Sequence, residues 1–285
     1  MTATEVPSIA VVGSVNLDLV ASVSRLPEPG ETVTGATLNR YPGGKGANQA
    51  LAARRLGAQV ALIARTGDDD AADDALSLLR EADVDLSGCV RDAVAPTGLA
   101  LIAVAAGGEN QIVVAPGANA LLTPETLMLP VADAVICQLE TPLETISKIA
   151  NEANGFFAIN LAPATQVPAA ILERADLVVM NESEAAVIGD SINQCQGWVV
   201  TTYGAQGARL NKSGTKEIVA RPPQVNAVDT TGAGDTFTAA LTLALVEGAV
   251  PDKALEFACA AGALATTKPG AQPSFPWRHE VSAIV

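Results

Sequence analysis

A chain of 285 residues that is 49% apolar can bury a large core, and α/β domains of this length often form one unit. Its formal net charge of -14 argues against nucleic acid or an anionic membrane as a partner, because phosphate groups attract a basic surface. With His279 as the single histidine, Ser-His-Asp chemistry and multi-histidine metal sites are poor candidates, and we expect His279 at the surface.

The four cysteines are widely separated and form no C-x-x-C pair, which indicates reduced core residues. The first apolar run follows no basic leader, and no 18-residue apolar segment occurs in the sequence. We therefore expect a cytoplasmic protein.

Short β-branched runs alternate with longer amphipathic or alanine-rich stretches, which is typical of a sheet wound with helices. The predicted strands are 9–12, 60–63, 134–136, 156–159, 177–180 and 198–201. The predicted helices are 46–56, 70–82, 142–154, 182–188 and two long ones near the C-terminus. The pattern predicts a doubly wound, mostly parallel α/β sheet flanked by helices.

Two segments, at about 19–42 and 97–115, interrupt this alternation. The first contains the strand-like runs 20–23 and 32–34, and the second turns through Gly107 and Gly108. We expect two hairpins that form a small β-sheet outside the core of a single domain, residues 1–285. Such a sheet would serve as a lid, as a dimer surface, or as both.

Asn16 and Asp18 come directly after the first predicted strand, at the carboxyl end where α/β sheets bind ligands. Their alternation offers an amide and a carboxylate on one side, which suits the hydroxyls of a sugar. An Asx-turn would explain the same two residues without a ligand.

Residues 42–50, Pro-Gly-Gly-Lys-Gly-Ala-Asn-Gln-Ala, open an alanine-rich predicted helix. Backbone N–H groups, Lys45 and Asn48 converge there on a helix N-terminus, although the spacing is not that of a Walker A loop. Glycine-rich helix starts also occur in purely structural settings. The nearby Asn16 and Asp18 favour a functional one.

Acidic residues follow two further predicted strands. Glu140 lies after the strand 134–136, and Asn181 and Glu184 begin the helix after 177–180. Carboxylate and amide oxygens suit a hydrated Mg²⁺. The same spacing suits a capping box with Asn181 as N-cap and Glu184 at the third helical position, which needs no metal. Both alternatives stay open.

Residues 229–237, Asp-Thr-Thr-Gly-Ala-Gly-Asp-Thr-Phe, precede a long apolar helix. Gly232 and Gly234 therefore lie at a helix N-terminus that favours a phosphate, while Asp235 would face an incoming hydroxyl. By itself the segment is also typical of a capped turn, with a threonine at 230 or 231 as N-cap.

Four segments, in this order, resemble the signatures of the PfkB-type carbohydrate kinases: 43–50, 181–184, 202–204 and 229–235. The tail 270–278, Gly-Ala-Gln-Pro-Ser-Phe-Pro-Trp-Arg, is similar to that of the members that phosphorylate ribose. The resemblance implies transfer of a phosphoryl group from ATP to the 5-hydroxyl of D-ribose, giving D-ribose 5-phosphate and ADP.

The resemblance also implies roles for individual residues. Asp235 would be the base, with Gly232, Ala233 and Gly234 as the anion hole. The residues implied to bind the sugar are Asn16, Asp18, Gly44, Lys45, Asn48, Glu140 and Asp235. Those implied to line the nucleotide are Asn181, Thr202, Gly204, Gly207 and Gly234. Glu184 would act on Mg²⁺ through water. The positions implied to hold K⁺ are Asp229, Thr231, Ala265, Lys268, Gly270 and Ser274. The hairpins correspond to a lid that also joins two copies into a homodimer.

One segment departs from the family. Between Asn181 and Thr202 the chain has too few residues for the helix that the family usually carries there, and 191–197 is expected to form a short loop. The alternatives to a ribose kinase are a kinase for another pentose, such as 2-deoxyribose, or for a nucleoside, and a non-catalytic sugar-binding protein. The intact Asp235 and its glycines favour catalysis.

Overall fold

Thirteen strands and ten α-helices are formed within residues 6–285, the part of the chain that the computed structural model describes. The strands are β1 (Ser8–Val12), β2 (Asn16–Val23), β3 (Thr37–Gly43), β4 (Gln59–Gly67), β5 (Cys89–Asp92), β6 (Gly98–Ala105), β7 (Asn110–Ala115), β8 (Ala134–Cys137), β9 (Phe156–Asn160), β10 (Leu177–Asn181), β11 (Trp198–Thr202), β12 (Ala208–Asn211) and β13 (Ile218–Ala220). The helices are α1 (Lys45–Arg55), α2 (Asp70–Ala75), α3 (Ser77–Glu81), α4 (Leu143–Glu152), α5 (Ala169–Arg174), α6 (Glu182–Ile188), α7 (Ala233–Val246), α8 (Pro251–Leu264), α9 (Ala271–Ser274) and α10 (Arg278–Ser282). Short 3₁₀ turns lie at Gly117–Leu121, Pro124–Thr126, Gly189–Gln194 and Gly204–Gln206.

The main sheet has the order β13-β12-β11-β10-β9-β8-β1-β4-β5. In this sheet order, every neighbouring pair between β11 and β5 is parallel. The strands β12 and β13 are antiparallel to their neighbours and form one edge. In β1, Ile9 and Val11 face one hydrophobic layer while Ala10 and Val12 face the other. Both faces are buried because helices cover them, which confirms the predicted doubly wound sheet.

The six predicted strands are all present as β1, β4 and β8 to β11. The prediction of one helix over 70–82 is wrong, because α2 and α3 are separated at Leu76, where ψ is 0°. Leu76, at this break, and Leu79, in α3, are both buried in the core. His279 is exposed, as expected.

The two interrupting segments form a second sheet with the order β3-β2-β6-β7. The β6–β7 hairpin is confirmed. In the first hairpin the predicted partner 32–34 is wrong, since β2 pairs with Thr37–Gly43 instead. Gly30 and Gly35 both have φ near +83° and bend the chain around 32–34, which prevents a continuous strand there.

The β10–β11 crossover consists of α6 and the 3₁₀ turn Gly189–Gln194. In the segment 191–197, where we expected a loop, residues 191–194 therefore belong to a 3₁₀ turn. The crossover remains short, and β11 keeps partial exposure along most of its length. Within the described residues, the helices are all too short or too polar to cross a membrane.

Candidate active site

Asp235 lies in the first turn of α7 and is buried, with 7% of its surface exposed. Two neighbouring amides of α1 hold its carboxylate. Asn48 Nδ2 donates to Oδ2 at 2.9 Å, and Gln49 Nε2 donates to Oδ1 at 3.0 Å. Burial raises the pKa of Asp235, whereas Lys45 and the two amides act in the opposite direction. The carboxylate is therefore fixed in orientation by donors that favour its charged form.

The N-terminus of α7 is open to an anion. Its N-cap is Gly232, in the left-handed conformation with φ of 78°, and in the described chain no side chain caps this end. The alternative of a threonine cap is therefore wrong. A Cβ on Gly232 would lie 2.6 Å from the Phe275 ring, which requires glycine, whereas a Cβ on Gly234 would meet open space. The Ala233 N–H donates to the Thr230 carbonyl at 3.3 Å, and a helix start without a side-chain cap suits a phosphate.

The start of α1 is built by close backbone contacts. Gly44 is its N-cap with φ of 88°, and a Cβ there would lie 2.6 Å from the backbone nitrogen of Asn16. Glu140 Oε2 accepts from the Lys45 N–H at 3.2 Å and from the Ser14 hydroxyl. Glu140 thus lies against the positive end of α1, which stabilises its negative charge.

Asn16 and Asp18 lie on β2 itself, so the alternative of an Asx-turn is wrong. Both side chains are buried. Asn16 Oδ1 accepts from Asn119 Nδ2 at 2.8 Å. A Cβ on Gly98 would lie 2.2 Å from Asn16 Oδ1, and one on Gly43 would lie 2.4 Å from Asp18 Oδ2. Glycine at both positions leaves space for these two polar groups.

Charges from several elements meet around Lys45. Burial, and then Glu140 and Asp235, raise the pKa of Asp18 to about 7. Burial by itself would lower the pKa of Lys45, but the surrounding carboxylates raise it above its ordinary value. The carboxylates that act on Lys45 are Asp235, Glu140, Glu184 and Asp18. The structure therefore brings the predicted sugar residues and Asp235 into one charged cleft.

The predicted nucleotide residues form a second group along the same sheet edge. Asn181 and Thr202 are paired in register at the ends of β10 and β11. Gly204 and Gly207 close a turn, in which the Tyr203 N–H donates to the Gly207 carbonyl at 2.8 Å. A cavity of about 370 Å³ adjoins this turn. It is lined by Tyr203, Ala205, Gln206, Ala208, Arg209, Val219 and Arg221, and does not include Asp235.

Asn181 and Glu184 form the capping box that the spacing allowed. Asn181 Oδ1 accepts from the Glu184 N–H at 2.9 Å, and Glu184 Oε2 accepts from the Asn181 N–H at 2.7 Å. Burial raises the pKa of Glu184. The described residues contain no cluster of three His, Cys, Asp or Glu side chains arranged for a metal ion.

Asp229 joins two segments near the start of α7. Its Oδ1 accepts from the Thr231 N–H at 2.9 Å and from the Thr231 hydroxyl at 2.6 Å, and its Oδ2 accepts from the Gly270 N–H at 2.8 Å. Asp229, Thr231 and Gly270 are thus brought together. On the same C-terminal segment, Ala265 directly follows α8, Lys268 is exposed, and Ser274 is buried in α9.

Several site residues were not singled out from the sequence. They are Ser14, Gln49, Asn119, Gln138, Asn160 and Gln272, all buried and hydrogen-bonded around the cleft. A signal existed for Gln49, because an amide on a buried alanine-rich helix needs a polar partner. Asn119 carried no such signal, since its 3₁₀ turn has no distinctive pattern.

Comparison with known proteins agrees with this geometry. The model of the pfkB family carbohydrate kinases matches residues 6–278. Ribokinase of Bacillus subtilis (strain 168) is 36% identical over 297 aligned residues, covering 98% of this chain and 99% of the relative. Ribokinase from Thermotoga maritima superposes with a TM-score of 0.87 at 33% identity, covering 97% of this chain and 98% of the other. Arabidopsis thaliana ribokinase complexed with ribose and ATP superposes with a TM-score of 0.88 at 32% sequence identity, covering 98% of both chains. The chain belongs to the pfkB family of carbohydrate kinases.

Proposed function

We propose that the protein is a ribokinase, which transfers a phosphoryl group from ATP to the 5-hydroxyl of D-ribose and releases D-ribose 5-phosphate and ADP. The observation that carries the proposal is the placement of Asp235: a buried carboxylate, held by two amides, in the first turn of an uncapped helix within the described chain. A base and an anion site are thereby adjacent, as phosphoryl transfer to an alcohol requires. The ribokinases among the relatives support the choice of sugar.

Asp235 acts as the base in this proposal. It accepts the proton of the 5-hydroxyl as the oxygen attacks the phosphoryl group. Phosphoryl transfer passes through a loose transition state, so alignment of the two reactants matters more than strong basicity. The donors from Asn48 and Gln49 keep the carboxylate aligned and charged.

The sugar hydroxyls are bound by side chains from three elements. They are Asn16, Asp18, Lys45, Asn48 and Glu140, with Gly44 giving close backbone approach. Since Asn16 Oδ1 already accepts from Asn119, its Nδ2 is left to donate to a hydroxyl. Asp18 offers two acceptor oxygens, which suit a pair of neighbouring hydroxyls when the carboxylate is ionised.

ATP binds along the edge formed by Asn181, Thr202, Gly204 and Gly207, with its phosphates at the start of α7. Three observations fit a phosphate there: the Gly232 N-cap, the lack of a side-chain cap among residues 6–285, and the open space beside Gly234. Bound Mg²⁺ would neutralise phosphate charge. Glu184 uses Oε2 in its capping box, so Oε1 would accept from water in the Mg²⁺ shell.

A monovalent cation, K⁺, fits beside this anion site. Asp229 ties the loop 229–231 to Gly270, which supports a compact turn of carbonyl oxygens. The other proposed ligands are Thr231, Ala265, Lys268, Gly270 and Ser274. Several of them would contribute through backbone carbonyls, which suit a large monovalent ion.

The small sheet serves as a lid in our proposal, formed by the segments 19–42 and 97–115 of a single domain. A lid matters because water would compete with the sugar for the phosphoryl group. Exposed apolar side chains on this sheet, among them Leu38, Leu101, Ile112 and Val113, support a second role as the contact surface of a homodimer. We place the protein in the cytoplasm, where ATP is supplied.

The test is a coupled assay of ATP consumption with D-ribose, 2-deoxyribose, fructose and adenosine. We expect turnover to be fastest with D-ribose. Preference for 2-deoxyribose or adenosine would assign the protein to another pentose or to nucleosides. Ribose binding by calorimetry without turnover on any of the four would support a non-catalytic sugar-binding protein.

A further inference from the structure

Gln49 is fully buried on α1, contacts Asp235 directly and belongs to a network of buried amides. Its Nε2 donates to Asp235 Oδ1 at 3.0 Å and to Asn160 Oδ1 at 3.1 Å. Its Oε1 accepts from Gln138 Nε2 at 2.7 Å. These three contacts come from α7, β9 and the end of β8, so Gln49 connects the base to the main sheet.

The network allows only one orientation of the Gln49 amide. Because the Asp235 carboxylate can only accept, the Nε2 end must face Asp235 and Asn160, and Oε1 is left to accept from Gln138. Asn160 is fixed in turn, since its Nδ2 donates to the Val179 carbonyl at 3.2 Å. A flipped Gln49 would place its oxygen against the Asp235 carboxylate and lose two hydrogen bonds. The donor is therefore held in place without help from a ligand.

Each of the two oxygens of the Asp235 carboxylate is held by its own donor. Asn48 holds Oδ2 and Gln49 holds Oδ1 of Asp235, which fixes the plane of the group. Asn48 is also a proposed sugar ligand, and its Oδ1 accepts from Gln272 Nε2 at 3.2 Å. Gln49 lies wholly inside the protein, so its effect on Asp235 is present before any ligand binds.

We propose that Gln49 is a positioning residue of the reaction: its amide holds the Asp235 carboxylate in the orientation and charge state that accept the proton of the attacking hydroxyl. The proposal rests on the proposed function. Burial raises the pKa of Asp235, and the hydrogen bond from Gln49 acts against that rise, in agreement with this role.

The decisive variant is Gln49→Met, which keeps the length of the side chain and removes the two N–H donors of the Gln49 amide. We expect kcat to fall about tenfold to a hundredfold, because a hydrogen bond to a charged group is lost. The KM values for ribose and ATP should stay within about threefold of wild type, since Gln49 touches neither substrate. The acid limb of the kcat profile should move to higher pH, because the carboxylate becomes easier to protonate.

Other charges around Asp235 stay in place in this variant. They are Lys45 on α1, Glu140 after β8, Asp18 on β2 and Glu184 on α6. A moved acid limb therefore reports the lost hydrogen bond. A kcat within about threefold of wild type, or a lower kcat with an unmoved acid limb, would overturn the proposal.

Two further variants secure the test. Gln138→Met leaves Asp235 untouched but removes the donor that holds Gln49 Oε1, so the Gln49 amide is held less firmly and we expect the same changes at smaller size. This variant decides the question if Gln49→Met does not fold. Thr242→Val removes a buried hydroxyl about 10 Å further along α7 and should leave kcat and the profile unchanged. If the wild type phosphorylates ribose and both Gln49→Met and Gln138→Met have the kinetics of the wild type, this inference alone is overturned. If the wild type does not phosphorylate ribose, the proposed function is overturned as well.

Discussion

Asn119 Nδ2 donates to Asn16 Oδ1 at 2.8 Å, although 103 positions separate the two residues in the chain. Asn119 is held in turn by the backbone of Val15, whose N–H donates to Asn119 Oδ1 at 2.9 Å. The contact decides which end of the Asn16 amide faces the cleft. It leaves a donor, and not an acceptor, for a sugar hydroxyl.

Asn119→Asp should weaken ribose binding without slowing the chemical step. An aspartate still accepts from the Val15 N–H but repels Asn16 Oδ1, so the Asn16 amide turns and presents the wrong end to the sugar. We expect the KM for ribose to rise about threefold to tenfold, which corresponds to the free energy of one neutral hydrogen bond, while kcat stays nearly constant. Asn110→Asp, on the exposed strand β7, is the control. An unchanged KM would contradict the orientation that we infer.

Asp235→Asn should abolish most of the turnover, because asparagine cannot accept the proton of the hydroxyl. General-base catalysis contributes about 10²-fold to 10⁴-fold, so a loss of kcat in that range is expected in single-turnover assays. Ribose binding, measured by calorimetry, should remain. Turnover that Asp235→Asn does not alter would assign the base to another residue.

Ribose affinity should increase between pH 6 and pH 8. The pKa of Asp18 lies at about 7, above its ordinary value of 3.8, because of burial and the nearby Glu140 and Asp235. The carboxylate is therefore neutral at pH 6 and charged at pH 8, and the charged form accepts from two hydroxyls. Calorimetric titrations across this range measure the effect. Asp18→Asn should bind ribose weakly and with a flat pH dependence, and a persistent slope in that variant would exclude Asp18 as its source.

The same residue should limit the stability of the ligand-free protein at high pH. A folded-state pKa above the unfolded value means that the native state binds more protons, so this contribution to the free energy of unfolding falls as pH rises from about 4 to 7. Asp18→Asn should thus raise the free energy of unfolding at pH 8 by at least about 1 kcal/mol, measured by urea denaturation. Asp190→Asn, at an exposed position, is the matched control. A destabilised Asp18→Asn at pH 8 would contradict the raised pKa.

Replacing Na⁺ by K⁺ should increase the rate of ribose phosphorylation. Asp229 and its bonded partners Thr231 and Gly270 form the turn that we assign to a monovalent cation beside the anion site. Initial rates at constant ionic strength measure the effect, and Asp229→Asn should reduce the difference between the two salts. Equal rates of the wild type in both salts would remove the cation site from the proposal.

Features that depend on near neighbours in the chain were determined by the sequence. Runs of β-branched residues predicted β1, β4 and β8 to β11, since such runs are buried strands in a covered parallel sheet. The spacing of Asn181 and Glu184 allowed the capping box that the structure contains. Glycines at 44 and 232 likewise marked two helix starts, because few other residues adopt positive φ.

Features that depend on distant parts of the chain were decided only by the tertiary structure. The pairing of β2 with Thr37–Gly43, the contact of Asn119 with Asn16, and the amides of Gln49 and Gln138 around Asp235 all join residues that no local pattern connects. Sequence periodicity reports which face of an element is buried, but not which element covers it. The polar groups of the cleft became a site because the topology places the carboxyl ends of the strands beside the starts of α1 and α7, where buried amides and carboxylates must find one another as partners.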